Sequence, residues 1–186
     1  MGEQSLWDFA SQLYTQPGVE EACLYLQDNC RLNVSLLLFL MWSTKRYGQM
    51  QPAFIRECCD LSDTWDGAVV KPFRQVRRWL KHQGAQLGDQ DTDDLRSQTK
   101  GLELHSEKLL LQALEQKAMA MGLESQDIND VDSIHMNLRV MLVHLKLAVD
   151  QSGAKALVGV GQEAFPSLDG EAWTVFQNEL VKMGGA

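Results

Sequence analysis

Apolar positions recur at helical spacing almost everywhere along this chain. Leu6, Phe9, Ala10 and Leu13 mark one short helix, and Ser5-x-x-Asp8 in front of them fits a capping box. Pro17-Gly18 ends that helix. Val19, Cys23, Leu26 and Cys30 form the inner stripe of a second, with Glu20, Glu21 and Asp28 facing out. Asn33 is placed to cap a third helix over 34–47. Val34 and the run from Leu36 to Trp42 leave that helix almost no polar side, which predicts a buried central helix. Lys45, Arg46 and Gly48 supply a basic, glycine-terminated end.

A fourth helix is predicted from Pro52 to Leu61, and a fifth from after Ser62 to about His82. Trp65, Val69, Phe73, Val76, Trp79 and Leu80 are assigned to the inner stripe of the fifth helix, and Pro72 within it should kink or split it. Residues 83–94 read as a connection rich in Gly, Gln and Asp. A long helix follows from about Asp94 to Met121, with Leu95, Leu102, Leu109 and Ala113 assigned inward. After an acidic loop over 122–132, a helix from Ser133 to Asp150 turns Ile134, Leu138, Met141, Leu142, Leu145 and Val149 inward. The glycine-rich stretch beyond Gly153 is less periodic, and Leu157–Val160 is the one place where a strand is admissible. Trp173, Phe176 and Leu180 restore a helical pattern between Asp169 and Met183. The expected fold is therefore all-α: a compact bundle of seven or eight helices around 34–47.

The expected organisation is a helical domain over 1–150 and a C-terminal extension over 151–186, docked through Trp173 and Phe176. At 186 residues the chain is long enough for a sizeable core. No apolar run approaches the roughly 20 residues of a membrane span. The N-terminus MGEQSLWDF has no secretory pattern. The cysteines, Cys23, Cys30, Cys58 and Cys59, form no C-x-x-C pair. Core thiols in a soluble cytoplasmic protein are the expectation.

Charge adds the main functional lead. The net charge is −8, yet Lys71, Arg74, Arg77, Arg78 and Lys81 follow one another with no acidic residue between them. On a regular helix these five occupy a sector about 120° wide, opposite the Trp65/Val69/Phe73/Val76/Leu80 face. That sector could bind an acidic protein surface or an anionic small molecule. The plain alternative is a face paired with the protein's own carboxylates. Nucleic acid is disfavoured by the acidity of the remainder and the lack of a known binding module.

Other chemistry is thin. Asp91-Thr92-Asp93-Asp94 matches an aspartate-rich motif of some terpene cyclases, but reads better as acid at a helix N-terminus. His82, His105, His135 and His144 are scattered, and no H-E-x-x-H occurs. Glu103 and Glu107 share a helical face, whereas His105 points elsewhere. Nothing here marks catalytic residues, a metal site or a cofactor.

Several blocks carry a family resemblance. They are L-W-x-F-A at 6–10, L-Y-x-x-P-G-V at 13–19, A-C-L-x-L-Q at 22–27 and N-V-x-L-L-L-F at 33–39. The run from Trp65 to Lys81 and the helix from Thr99 to Leu114 extend them. Together, over about 5–148, they resemble a family of conserved hypothetical proteins from gammaproteobacteria. The resemblance implies a compact, all-helical bacterial cytoplasmic protein with no assigned activity. The functional expectation is a non-enzymatic interaction or regulatory protein that uses the basic face at 71–81. The alternative is a small-molecule binder or enzyme with an interhelical pocket for a phosphate or carboxylate.

Overall fold

The computed structural model describes residues 4–83, 89–123 and 130–184. Among them the chain is all-helical: α1 (Leu6–Tyr14), α2 (Val19–Asn29), α3 (Val34–Tyr47), α4 (Pro52–Trp65), α5 (Lys71–Gln83), α6 (Asp89–Met119), α7 (Val131–His144), α8 (Gln151–Ala164) and α9 (Gly170–Gly184). A π turn, Asp66–Val70, joins α4 to α5, so the two form one continuous rod.

Local chemistry sets the boundaries. Ser5 Oγ accepts from the Asp8 amide at 3.1 Å, and Asn33 Oδ1 accepts from the Leu36 amide at 3.0 Å. Each cap satisfies a donor that the first turn leaves open. Gly18 (φ 77°) and Gly48 (φ 70°) take left-handed conformations that a side chain would resist. The expected fifth helix is interrupted just before Pro72: its first turn, to Trp65, completes α4, and α5 begins at Lys71 after the π turn. Pro72 has no N–H, and its ring would crowd the carbonyl four residues back. The π turn just before it widens the helix there, and the Lys71 amide bonds back to the Asp66 carbonyl.

The core is organised by α3, in which every side chain from Ser35 to Thr44 is buried. Helices α1, α2, α4, α6, α7 and α8 all pack against it. Its C-terminal end is fastened by Asn137 of α7. Asn137 donates to Thr44 Oγ1 (2.8 Å) and to the Gly48 carbonyl (3.0 Å), and accepts from the Met50 amide (2.9 Å). These bonds satisfy a fully buried amide. All four cysteines are free and buried. Burial pushes the thiols of Cys23, Cys58 and Cys59 up to about 12, so they remain protonated core groups.

Two expectations are corrected beyond α6. The seventh helix stops at His144 instead of Asp150. Lys146 adopts φ 51°, and Asp150 instead caps α8 by accepting from the Gly153 amide at 2.7 Å. The Leu157–Val160 patch is helix, not strand, because it lies within α8. Two other glycines of α8, Gly153 and Gly161, are packing notches. A Cβ on Gly153 would lie 2.7 Å from Cys30 Sγ, and one on Gly161 would lie 2.5 Å from the Trp173 ring. Helix α8 therefore seats on α2, and α9 seats on α8. Tyr25 Oη reinforces the first contact by donating to Asp150 Oδ2 at 3.1 Å.

Gly159 and Gly161 should consequently respond in opposite directions. Gly161→Val is expected to destabilise the protein by about 3 kcal/mol by overpacking the Trp173 ring. Gly159 has open space around its missing Cβ. Gly159→Ala should stabilise by up to about 1 kcal/mol through helix propensity alone. Urea unfolding of both variants checks the pair.

Candidate functional site

The α5–α6 hairpin is where most of the chain's segregated charge meets. The α4–α5 rod and α6 run antiparallel: Glu57 and Trp65 of α4 meet Lys117 and the Ser106 carbonyl, and Arg77 of α5 reaches Glu103. The inner face of α6 is polar over its first half. Thr99, Glu103 and Ser106 are buried there, and only Leu110, Leu111, Leu114 and Ala118 beyond them are apolar. Thr99 Oγ1 donates to the Leu95 carbonyl (2.8 Å) and Ser106 Oγ to the Glu103 carbonyl (2.7 Å), so neither hydroxyl is left unmet.

Glu103 is the centre of this seam. Its carboxylate side chain is 8% exposed. Arg74 Nε donates to Oε1 at 2.8 Å, Arg77 Nη2 donates to the same oxygen at 3.2 Å, and Arg77 Nε donates to Oε2. Arg74 Nη2 turns to Glu107 Oε1 at 2.9 Å. Burial alone would raise the pKa of Glu103. Two guanidiniums outweigh that and hold it below the usual carboxylate range. Glu107 goes the other way: burial and the nearby Glu103 charge outweigh Arg74 and raise it.

The five basic residues therefore divide. Arg74 and Arg77 are spent inside the hairpin. Lys71 pairs with Asp66 at 2.9 Å, and Arg78 crosses to Asp28 of α2 at 2.7 Å, both with half-exposed basic side chains. Lys81 lies at the surface. No open strip of five cations exists, because the inner two have found carboxylates on α6. Sequence reasoning placed Glu103 and Glu107 on one face but did not pair them with Arg74 and Arg77. The complementary four-residue and three-residue spacings were the available signal.

This pairing rotates both helices from their expected setting. Val76 and Trp79 on α5, and Leu95, Leu102 and Leu109 on α6, were assigned inward and instead are 41–52% exposed. Val70 and Leu80 provide the buried apolar contacts of this region of the rod. The direction of the exposed side follows from contacts on the other side. Arg78 reaches α2, Lys108 lies 4.7 Å over the Trp7 ring of α1, and Glu115 Oε1 accepts from the Leu6 amide at 2.8 Å. On α5, Val76 lies across the Arg74/Arg77 column from Arg78. On α6, the Leu95/Leu102/Leu109 column lies across the Thr99/Ser106 column from Lys108 and Glu115. In an antiparallel pair both apolar columns then emerge on the same outer side.

A small cleft borders the seam, lined by Asn33, Ser35, Asp66, Arg74, Glu107 and Leu110 among others. Its volume, open space included, is about 230 Å³. It lies at the N-terminus of α3, whose free amides favour negative charge, but Asp66 and Glu107 already provide that charge. The Asp91–Asp94 cluster lies within α6, where Asp93 pairs with Arg96 at 3.3 Å. The histidines of the described residues are apart: His135 meets Glu179, His144 meets Asp60, and His82 and His105 are exposed. Among the described residues no group of three His, Cys, Asp or Glu is arranged to hold a metal.

Glu103 and Glu107 should behave differently when neutralised. Glu103→Gln leaves two part-buried arginines short of a carboxylate and is expected to cost about 3 kcal/mol. Glu107→Gln relieves a raised carboxyl and should be neutral or slightly stabilising at pH 7. A lowered pKa means that Glu103 stabilises the fold above the ordinary carboxylate range and loses that contribution as pH falls through its folded pKa. Glu107, being raised, costs stability as pH rises from the ordinary carboxylate range to its folded pKa. Denaturant midpoints measured between neutral and acid pH should show a shallower acid loss in Glu103→Gln and a steeper one in Glu107→Gln.

Comparison with known proteins adds a family and no activity. No curated protein matches the chain, and no solved structure does. A family model described as "Protein of unknown function (DUF2390)" matches residues 5–114. That match runs from α1 into α6 and contains Arg74, Arg77, Glu103 and Glu107, the complete charged seam. The chain belongs to this family of proteins of unknown function.

Proposed function

We propose that this is an interaction protein of regulatory type, working through the outer side of the α5–α6 hairpin. One observation carries the reading: the Arg74–Glu103–Arg77 cluster occupies the α5–α6 contact while Val76, Trp79, Leu95, Leu102 and Leu109 are left exposed. A helix pair that had only to be stable in water would be arranged the other way round. Val76, Trp79, Leu95, Leu102 and Leu109 each contribute an exposed apolar surface to one side, and clustered exposure of that kind marks contact sites. Lys71, Arg78 and Lys81 keep their charged ends at the surface across the Arg74/Arg77 column from Val76, on the side that meets α2, and contribute there only to the general field that draws an acidic partner. Arg74 and Arg77 are positioning residues that fix which side of the hairpin faces out. The four buried thiols suit a reducing compartment, and the cytoplasm is the proposed setting.

A second reading places an anionic ligand in the cleft beside Arg74. The α3 N-terminus supports it. The carboxylates of Asp66 and Glu107 in the same wall weaken it, as does a volume below the roughly 300 Å³ at which small-molecule pockets begin.

Site-specific photo-crosslinking in cells tests the leading reading. A photoreactive residue at position 102 should give discrete protein adducts, and one at Leu24, exposed on α2 across the hairpin from its outer side, should not. The same adducts from both positions, or none from position 102, would overturn the proposal.

A further inference from the structure

One wall of the cleft beside Arg74 is built from donors that the described residues leave unused. Ser35 is 8% exposed and lines the cleft, and its hydroxyl has no hydrogen-bond partner among the described residues. A polar group buried to that degree ordinarily has one. The amides of Val34 and Ser35 open α3, so neither has a carbonyl within the helix to bond. Asn33 has committed Oδ1 to the Leu36 amide, which leaves its Nδ2 as a further donor on the same wall. These groups share the N-terminus of a 14-residue helix, where negative charge is favoured.

The opposite wall decides what charge can enter. Lys71, Arg74 and Arg77 are paired there with Asp66, Glu103 and Glu107. With all six ionised the group is neutral, and an added anion would be in excess. Glu107 is the carboxylate that can give up its charge: burial and the Glu103 and Asp66 charges raise its pKa against the pull of Arg74. Tyr14 of α1 also faces Glu107 and Arg74, and burial pushes it up to about 12, so it stays neutral. Helix α3 brings no charged side chain to this end. Once Glu107 takes a proton, one positive charge is left over, and Arg74 Nη2 loses the ion pair it makes with Glu107 Oε1 at 2.9 Å. A monoanion restores neutrality, whereas a dianion would leave the group negative. Size narrows the choice again, because about 230 Å³ with open space included suits a small ion better than an organic ligand.

We infer that this cleft is a site for a small inorganic monoanion of halide size, held by the Ser35 hydroxyl, the first amides of α3 and Arg74, and taken up together with a proton on Glu107. The proton comes from solvent, and the Arg74 guanidinium exchanges the Glu107 carboxylate for the anion. No covalent bond of the chain's own framework changes. The inference rests on the second reading of the cleft and narrows it to one ligand class. It is independent of the outer side of the hairpin.

Amide NMR of the full chain, titrated with chloride against gluconate at fixed ionic strength, tests it. In wild type the Val34 and Ser35 amides should shift saturably with chloride. Their apparent affinity should rise by up to about tenfold per unit fall in pH until Glu107 is protonated. Glu107→Gln fixes the neutral form, so it should bind at pH 7 as wild type does in acid and should lose the pH dependence. Ser35→Ala removes only an unpaired hydroxyl, so its spectrum should remain native while binding weakens about tenfold. Absence of chloride shifts from both acidified wild type and Glu107→Gln overturns the inference. So do shifts indifferent to Ser35→Ala, or a pH dependence that survives in Glu107→Gln. Inorganic phosphate and acetate are titrated in parallel. If either moves the Ser35 amide while chloride does not, the halide site falls and the second reading stands. If none of the three does, both fall.

Discussion

A single carboxylate held between two arginines governs the arrangement of the hairpin. Glu103 lies in the α5–α6 contact with Arg74 and Arg77 converging on it, and a buried charge of this kind cannot be left without its partners. Once those bonds are made, the rotation of both helices about their axes is fixed. The apolar sector of α5 and the leucine column of α6 must then turn outward. The charged seam is weak as a source of net stability, since desolvation offsets most of the attraction. Its effect is on geometry: it selects one packing of two helices that could otherwise bury their apolar stripes against each other.

The rest of the molecule supplies the stability that allows this. Helix α3 is buried along nearly its whole length, and its end is held by the Asn137 hydrogen bonds to α3, Gly48 and Met50. The C-terminal helices close the other side through glycine notches that accept Cys30 and Trp173. The second half of α6 joins this core through Leu110, Leu114 and Ala118, while the first half leaves it to form the hairpin. One long helix thus has an ordinary apolar inner face at one end and a polar one at the other, and the change occurs between Ser106 and Leu110.

Much of the fold is legible in the sequence because it follows from local rules. Ser5 and Asn33 are caps at the positions their spacing indicates, Pro17-Gly18 separates α1 from α2, and the unbroken apolar run at 36–42 can only be a buried helix. The setting of α5 and α6 is not legible, because each helix has two competing stripes. Periodicity identifies an apolar stripe and assigns it inward, whereas the matching of Arg74 and Arg77 to Glu103 and Glu107 joins residues 26 to 33 positions apart in the chain. Helix α8 was obscured for a different reason. Its three glycines lower helix propensity, and only the neighbours that occupy the notches explain Gly153 and Gly161. Pro72 raised a question about a kink that the π turn answers, and an insertion of that kind leaves no mark in an apolar pattern.

The central claim is that the hairpin buries the Arg74–Glu103–Arg77 cluster and turns Leu95, Leu102 and Leu109 out. Hydroxyl-radical footprinting of the dilute protein, read residue by residue by mass spectrometry, tests it most directly. The account predicts strong labelling of Val76, Trp79, Leu95, Leu102 and Leu109, with Leu110 and Leu114 protected. Protection of Leu95 and Leu102 in the dilute monomer would mean that the helices have rolled to bury their apolar stripes, and would contradict it.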